Sequence, residues 1–396
     1  MKDMQNTDLV KQAAEQVREL VSASIAAAIK KEQLPQAELP DFVVEIPGDT
    51  SHGDFATNIA MVGAKAFRTA PPKIAQAILD NLALEGSLFA RAEMAGPGFL
   101  NFFLAPHWFS SVVEAVHAMG EDYGKTDYGQ GKKVMVEYVS ANPTGPMHLG
   151  NARGGVVGDI LAAAMAACGY DVTREFYLND AGNQIQKFGL SLEARYLQIY
   201  WGEETVEFPE DGYQGDDIRE RAQQYADLHG DKLLPLTTEE RTQALIDFAL
   251  PLNIQSLKET LHDYRVDYDV WFYETSLHKD GTVDKVIDIL KERGLAYESE
   301  GALWYKATEY GGEKDEVLVK GNGFPTYFAV DIAYHYNKFA VRGFEKVIDA
   351  WGSDHHGHVA RLKGAMDAVG LSGDALDIIL FQFVRLIKDG EPFRMS

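Results

Sequence analysis

The residues whose types and spacing best suit chemistry lie between Ser140 and Gly155, reading Ser-Ala-Asn-Pro-Thr-Gly-Pro-Met-His-Leu-Gly-Asn-Ala-Arg-Gly-Gly. A strand-like run, Lys133-Val-Met-Val-Glu-Tyr-Val139, precedes them. A helix-like run from Val156 to Cys168 follows and closes at Gly169. A strand, a Gly/Pro-rich turn and a helix start in that order make a phosphate site. Backbone N–H groups and the helix dipole face the anion, and small residues let it approach. His148 and Asn151 sit one helical step apart in the turn, where both can reach one phosphate.

Three other polar sets compete for attention. Gly120 to Thr126 ends in Gly-Lys-Thr, but it is one residue short of a phosphate-binding P-loop and no long strand precedes it. Asp354-His355-His356-Gly357-His358 has the composition of a metal cluster, yet adjacent histidines on a short turn do not converge on one ion. A polar turn lining a pocket at the carboxyl end of a sheet strand is the better reading. Tyr327 and Asp331 stand four apart, so a helix over 327–338 places both on one face.

These groups must be held by elements that the pattern also predicts. Asp8 to Lys31 has helical periodicity, Asp41–Ile46 alternates like a strand, and Ser51 to Ala60 leads into a helix. Pro71-Pro72 opens a helix through Leu82, and Gly98–Leu104 is strand-like. That order suggests a small α+β domain ending near the Gly- and Lys-rich connector Gly120–Lys133. Beyond it, strand 134–139, helix 156–168 and strand 171–178 read as a parallel βαβ unit. From 191 to 312 the chain turns helical and charged, with 239–261 its clearest helix, as in an insertion. Strand signals return at 317–320, 347–351 and 378–383, with a helix at 359–369. The fold class expected is α/β: a Rossmann-like, doubly wound parallel sheet with an insertion, behind an α+β N-terminal domain.

The 396 residues allow two to three domains, and the net charge of −23 argues against a protein that coats nucleic acid. A local basic patch stays compatible with it. Much of the acid falls between Trp201 and Asp217, most simply a solvated loop. The single cysteine, Cys168, reads as a small core residue. There is no leader-like start and no run of about 18 apolar residues, so a soluble cytoplasmic protein without membrane contact is expected.

The motifs carry a resemblance. His148-Leu-Gly-Asn151 resembles the HIGH signature of class I aminoacyl-tRNA synthetases, and Gly390-Glu-Pro-Phe-Arg-Met-Ser396 resembles the opening of their KMSKS signature. The combination of Ser140-Ala-Asn-Pro-Thr-Gly-Pro146, the Tyr327/Asp331 helix, Trp351-Gly-Ser-Asp-His-His-Gly357 and Phe381-Gln-Phe-Val-Arg-Leu386 is similar to the arginyl-tRNA synthetase family. Ser51-His-Gly-Asp-Phe-Ala-Thr-Asn58 looks like that family's additional N-terminal domain, which contacts the tRNA elbow. In one departure, Asn151 replaces the second histidine of HIGH; it can donate a hydrogen bond but carries no charge. In another, the chain stops at Ser396, inside the second signature.

The resemblance implies ATP-dependent activation of L-arginine to an adenylate, then transfer to tRNA(Arg). It implies an ATP side formed by His148, Gly150, Asn151, Gly352, Asp354, Met395 and Ser396. The arginine side would comprise Glu137, Ser140, Asn142, His148, Tyr327, Asp331 and His355, with Asp331 and Tyr327 toward the guanidinium. ATP would enter with Mg2+; no protein metal site or prosthetic group is implied, and a monomer is expected. The implied domains are residues 1–118, contacting tRNA, and a catalytic domain over 119–396 with the insertion at 191–312. The family's anticodon-binding C-terminal domain would be absent, so a fragment of weak or no activity is expected. The alternatives are a non-catalytic tRNA-binding paralogue or another class I synthetase.

Overall fold

In helix α1 (Leu9–Lys30), Ala13, Val17, Val21, Ile25 and Ala28 recur at helical spacing and form one fully buried stripe. Asp8 caps the helix, its carboxylate accepting from the Lys11 N–H at 2.9 Å. The computed structural model describes residues 8–353, 356–382, 384 and 386–393, and it divides into two compact units, 1–126 and 127–396.

The first unit continues through β1 (Val44–Glu45), β2 (Phe55–Thr57), α2 (Ile59–Gly63), α3 (Pro71–Leu79), β3 (Phe89–Ala95), β4 (Phe99–Leu104) and α4 (Pro106–Met119). Its antiparallel sheet has the order β1-β2-β4-β3. The α1 stripe, Ile74 and Ile78 of α3, and Phe55, Phe89 and Phe102 share one core. Phe89 meets Phe55 and Phe102 edge-on, at 6.0 and 5.4 Å between ring centres. The expected strand at 41–46 shortens to two residues. Strand β2 lies where only a lead-in to a helix was expected, while β3 and α4 carry no clear sequence signal.

The second unit runs β5 (Lys133–Tyr138), α5 (Ala152–Ala167), β6 (Asp171–Leu178), α6 (Gly182–Trp201), α7 (Asp216–His229), α8 (Thr238–Asp263), β7 (Val270–Tyr273), α9 (Glu274–Lys279) and α10 (Thr282–Glu292). It continues through β8 (Ala296–Ser299), β9 (Ala302–Tyr305), β10 (Glu316–Val319), α11 (Tyr327–Tyr336), β11 (Lys346–Gly352), α12 (His356–Ala368), β12 (Leu376–Phe381), β13 (Leu386–Lys388) and β14 (Glu391–Phe393). Five strands form a wholly parallel sheet of order β12-β11-β5-β6-β7. This is the doubly wound α/β architecture anticipated from the sequence. Two corrections of detail follow. The 317–320 signal belongs to a separate antiparallel sheet of order β10-β9-β8. Strand β7, the edge of the parallel sheet, lies within the 191–312 stretch read as helical, and four residues are too few to register there.

Alternation along β5 decides what faces what. Val134, Val136 and Tyr138 join the core with Ala162 of α5 and Leu257 of α8, while Met135 joins the opposite core with residues of α11 and α12. The chain thus leaves β5 toward one face and β11 toward the other. A crevice opens between such strands at their carboxyl ends. Close seating of α5 depends on glycine: a Cβ at Gly158 would overlap the ring of Tyr138, and one at Gly154 would sit 2.8 Å from the ring of Phe381. Gly158→Ala should therefore destabilise the fold by about 3 kcal/mol. Urea denaturation reads this directly, and an unchanged midpoint would mean that α5 can move off the sheet.

Candidate active site

At the crevice, three acidic side chains occupy one level of the sheet. Asp349 of β11 is the register partner of Glu137 of β5, and Glu137 is the partner of Glu175 of β6. All three are buried. Neighbouring strands lie about 4.8 Å apart, so three carboxylates in a row repel unless cations intervene. Those cations come from the helix above. Lys338 Nζ donates to Glu137 Oε2 at 2.6 Å and to Asp349 Oδ1 at 2.9 Å, and the Arg342 guanidinium makes two contacts to the Glu175 carboxylate. The Tyr334 hydroxyl also donates to Glu175, at 2.5 Å. His335 Nε2 pairs with Asp349 Oδ2 at 2.7 Å.

Burial alone would lower the Lys338 pKa, but Asp349 and Glu137 hold it above the ordinary lysine value. Burial opposes the charge on Asp349, yet Lys338 and His335 bring it below the usual carboxylate range. Glu137 is different: burial pushes its carboxyl upward against the pull of Lys338.

Beyond Glu137 the backbone is strained. Val139 and Ser140 have φ of 68° and 42°, a region that a β-branched residue rarely enters. The kink lets Ser140 Oγ donate to Glu137 Oε1 at 2.8 Å while accepting the Tyr177 N–H at 3.1 Å. Asn142 follows on the cavity wall. His148 then caps a 3-10 turn, Leu149–Asn151, that runs into α5. Its Nδ1 accepts from the Gly150 N–H at 3.1 Å, leaving Nε2 to serve as the donor. Asn151 Oδ1 accepts the His148 N–H at 3.4 Å, so the amide's own N–H groups are the ones to offer. With the first turn of α5 these form a donor-rich edge suited to anionic oxygens.

The opposite wall is acidic. Asp331 Oδ2 lies 3.0 Å from His358 Nε2, and His358 Nδ1 accepts from Arg361 Nε at 2.8 Å. Arg361 is itself held by Glu316 at 2.8 Å, and the His358 ring stacks on Trp351 with 5.5 Å between centres. The aspartate carboxylate is aimed by this relay. A cavity of about 1100 Å³ joins both walls and is lined by Glu137, Ser140, Asn142, His148, Gly150, Asn151, Asp331 and Gly352 among others.

Eight sequence-derived candidates therefore share one cavity. Tyr327, on the first turn of α11, is 52% exposed and is not part of its wall. Asp354, His355, Met395 and Ser396 lie outside the described residues. Of the histidine cluster, His358 serves Asp331 and Arg361. Lys125 of the P-loop-like stretch pairs with Asp122 at 2.6 Å, after a short 3-10 turn instead of a strand.

Sequence reasoning missed Lys338, Asp349 and Glu175, while His358, read as part of a polar turn lining a pocket, does line the cavity. The same reasoning read the 201–217 acids as solvated, whereas Asp216 and Asp217, with Glu220 of α7, reach the cavity wall. Asp331, Tyr334, His335 and Lys338 fall at i, i+3, i+4 and i+7, and this periodic polar stripe on an apolar helix was the available signal.

Such a crevice, with a histidine-bearing turn feeding a helix start, is that of a class I aminoacyl-tRNA synthetase. Residues 113–396 match the family model described as "tRNA synthetases class I (R), catalytic domain". Residues 16–104 match the model "Arginyl tRNA synthetase N terminal domain". The arginine–tRNA ligase of Acetivibrio thermocellus is 52% identical over 390 residues, covering 98% of this chain and 69% of that protein. That of Ruminiclostridium cellulolyticum is 53% identical over 382 residues, covering 96% and 68%. The structure of Thermus thermophilus arginyl-tRNA synthetase shares the fold, with a TM-score of 0.60 at 22% identity over 92% of this chain and 65% of that one. The chain belongs to the arginyl-tRNA synthetase family and spans about two thirds of the length of these relatives.

One buried acid behind the wall titrates usefully. Tyr177 lines the cavity and its hydroxyl donates to Glu274 Oε2 at 2.6 Å. Burial, aided by Asp331 and Asp180 and opposed by the Tyr177 hydrogen bond, pushes Glu274 up to about 7. Between about pH 4.5 and 7 the folded state then holds a proton that the unfolded state has lost. The Glu274 contribution is fully present below about pH 4.5 and fades as pH rises through 7, by about 3 kcal/mol in all. Chemical denaturation should show Glu274→Gln gaining on the parent chain by that amount from pH 4.5 to 8. A pH-independent difference would contradict the assignment.

Proposed function

We propose that this chain activates L-arginine with ATP and passes the arginyl group to tRNA(Arg). The observation that carries the reading is the single cavity whose one edge is a helix-start donor array and whose other edge is an oriented aspartate. ATP phosphates suit the first and a guanidinium suits the second. In this reading His148, Gly150, Asn151 and the α5 N-terminus hold the ATP phosphates, with Gly352 beside the nucleotide. Mg2+ arrives as part of the ATP complex.

Glu137 and Asn142 bind on the amino-acid side of the cavity, with Ser140 fixing Glu137. Asp331 takes the guanidinium, whose planar fork of five donors demands carboxylate acceptors. Tyr327 stands at the same helix end, for closing over the side chain. His355, Asp354, Met395 and Ser396 stay assigned by resemblance. Work in the cytoplasm accords with this reading.

The chemistry asks little of acid–base groups. A carboxylate oxygen of arginine attacks the α-phosphorus, and the bond to the β-bridging oxygen breaks with its electron pair leaving on pyrophosphate. A terminal ribose hydroxyl of tRNA then attacks the acyl carbon, losing its proton as AMP departs. Rate comes from holding the in-line geometry and from donors placed where phosphate charge develops.

Arginine-dependent ATP–pyrophosphate exchange, run with and without tRNA(Arg), tests the function. Exchange driven by a different amino acid would shift the reading to another class I synthetase. Binding of tRNA with no exchange at all would favour a non-catalytic paralogue. Asp331→Ala should weaken arginine binding by about 100-fold while ATP binding stays within about threefold. Calorimetry separates the two, and equal losses would remove Asp331 from the guanidinium role.

A further inference from the structure

Asp331 is held in place without being neutralised. The three acids of the buried row each carry a permanent cation: Lys338 on Glu137 and Asp349, Arg342 on Glu175. Among the described residues no lysine or arginine lies within ion-pair distance of Asp331. Its partner is His358 Nε2, at 3.0 Å. The aspartate side chain stays 38% exposed on the cavity wall, whereas that of His358 is 12% exposed.

What His358 gives to Asp331 is decided on the other side of its ring. There Nδ1 accepts from Arg361 Nε at 2.8 Å. A nitrogen that accepts has no proton of its own, so the imidazole is the uncharged tautomer with its proton on Nε2, directed at Asp331 Oδ2. Arg361 is fixed in turn by Glu316, at 2.8 Å, and lies 5.4 Å over the Phe328 ring. The imidazole is kept from turning, since it stacks on Trp351 and meets Phe328 edge-on at 5.8 Å. The relay thus delivers a hydrogen bond to Asp331 and no positive charge, while Glu316 balances the Arg361 cation at the far end.

We propose that His358 and Arg361 are positioning residues for guanidinium recognition: Arg361 holds the imidazole as an uncharged Nε2–H donor, and that donor fixes Asp331 while leaving its negative charge for the substrate. The inference rests on the arginine-activating reading above and deepens it at Asp331. Preference for arginine over citrulline, in which an uncharged urea of nearly equal size replaces the guanidinium, depends on this pair. With an imidazolium at the same place Asp331 would form its ion pair internally, and the charged ligand would lose its advantage.

The test has two arms. Long-range 1H–15N NMR on the histidine-labelled chain at neutral pH should show His358 protonated at Nε2 alone, its signal being assigned by its loss in His358→Gln. A ring protonated at both nitrogens, or at Nδ1 alone, overturns the proposal. The second arm is calorimetry of arginine and citrulline with the unaltered chain, His358→Leu, His358→Gln and Arg361→Met. The unaltered chain should prefer arginine by about 30-fold, the worth of one charged hydrogen bond. His358→Leu should lose most of that preference by weakening arginine about tenfold, with citrulline held within about threefold. His358→Gln puts an amide N–H where Nε2–H was and should restore the preference to within about threefold of the unaltered chain. Arg361→Met should lower the preference too, and its NMR should show His358 gaining a proton on Nδ1.

A merely structural histidine would weaken both ligands together and would not be rescued by glutamine, and either result overturns the proposal. A ring that keeps its tautomer and its preference in Arg361→Met overturns the part given to Arg361. If His358→Leu fails to fold, the glutamine and Arg361 variants and the tautomer of the unaltered chain still decide the matter. If the unaltered chain binds no arginine, the arginine-activating reading falls and takes this one with it. If it binds and His358→Leu keeps full preference, only this one falls.

Discussion

The row formed by Asp349, Glu137 and Glu175 across the centre of the parallel sheet is the constraint around which the catalytic unit is arranged. No apolar cover can be laid over three adjacent carboxylates, because each would be left without a partner at a cost of several kcal/mol. The covering element must bring cations at a matching spacing. Lys338 and Arg342, four residues apart at the end of α11, do so. Satisfying the row fixes the height and rotation of α11, and so fixes Asp331, about two turns upstream of Lys338 and three upstream of Arg342. The acidic wall of the cavity and the buried cluster are thereby parts of one rigid body.

The same sheet divides the cavity by sign. The helix that follows β5 starts at the crevice and turns its amide end toward it, while α11 brings the Asp331 carboxylate. The proposed substrate pair, a triphosphate and a doubly cationic amino acid, matches these two edges. The net charge of −23 is no obstacle, since the phosphate side relies on backbone dipoles and hydrogen bonds more than on basic side chains. In the proposed reading, selectivity for a guanidinium over an ammonium follows from fixed acceptors. A point charge would leave part of the oriented aspartate unpaired, and sites of that kind can reject analogues by roughly 10⁴–10⁵.

Much of this was legible in the sequence because the central elements have strong local patterns. Strand β6 occupies the residues that alternation indicated, and β5, β11 and α12 fall within a few residues of expectation. The turn from Ser140 to Gly155 announced itself through proline, glycine and a lone histidine. What stayed hidden depends on contacts between distant segments. β5 and β11 each show one acid in a largely apolar strand and β6 carries Glu175 in its middle, but only strand register makes the three neighbours. His358 was legible as part of a pocket-lining polar turn, but local spacing cannot show that Asp331 and Arg361 occupy its two nitrogens. Strand β7 and the reach of Asp216 and Asp217 into the cavity likewise follow from tertiary placement.

Local and global demands disagree at one place, and it is informative. A stripe of Asp331, Tyr334, His335 and Lys338 on a helix whose other faces are buried and apolar is a poor choice for stability alone. Hydrophobic replacements of similar volume would pack the same space without desolvating charges. A fold that keeps three acids, two permanent cations and a histidine under one short helix gains geometric definition from them. That gain is greatest where a carboxylate must meet a ligand at a fixed distance and angle, the role proposed for Glu137 at the cavity wall. The buried charges and the strained Val139–Ser140 step converge on that one side chain, from opposite sides. The network is therefore better understood as the support of a recognition site than as the core of a domain.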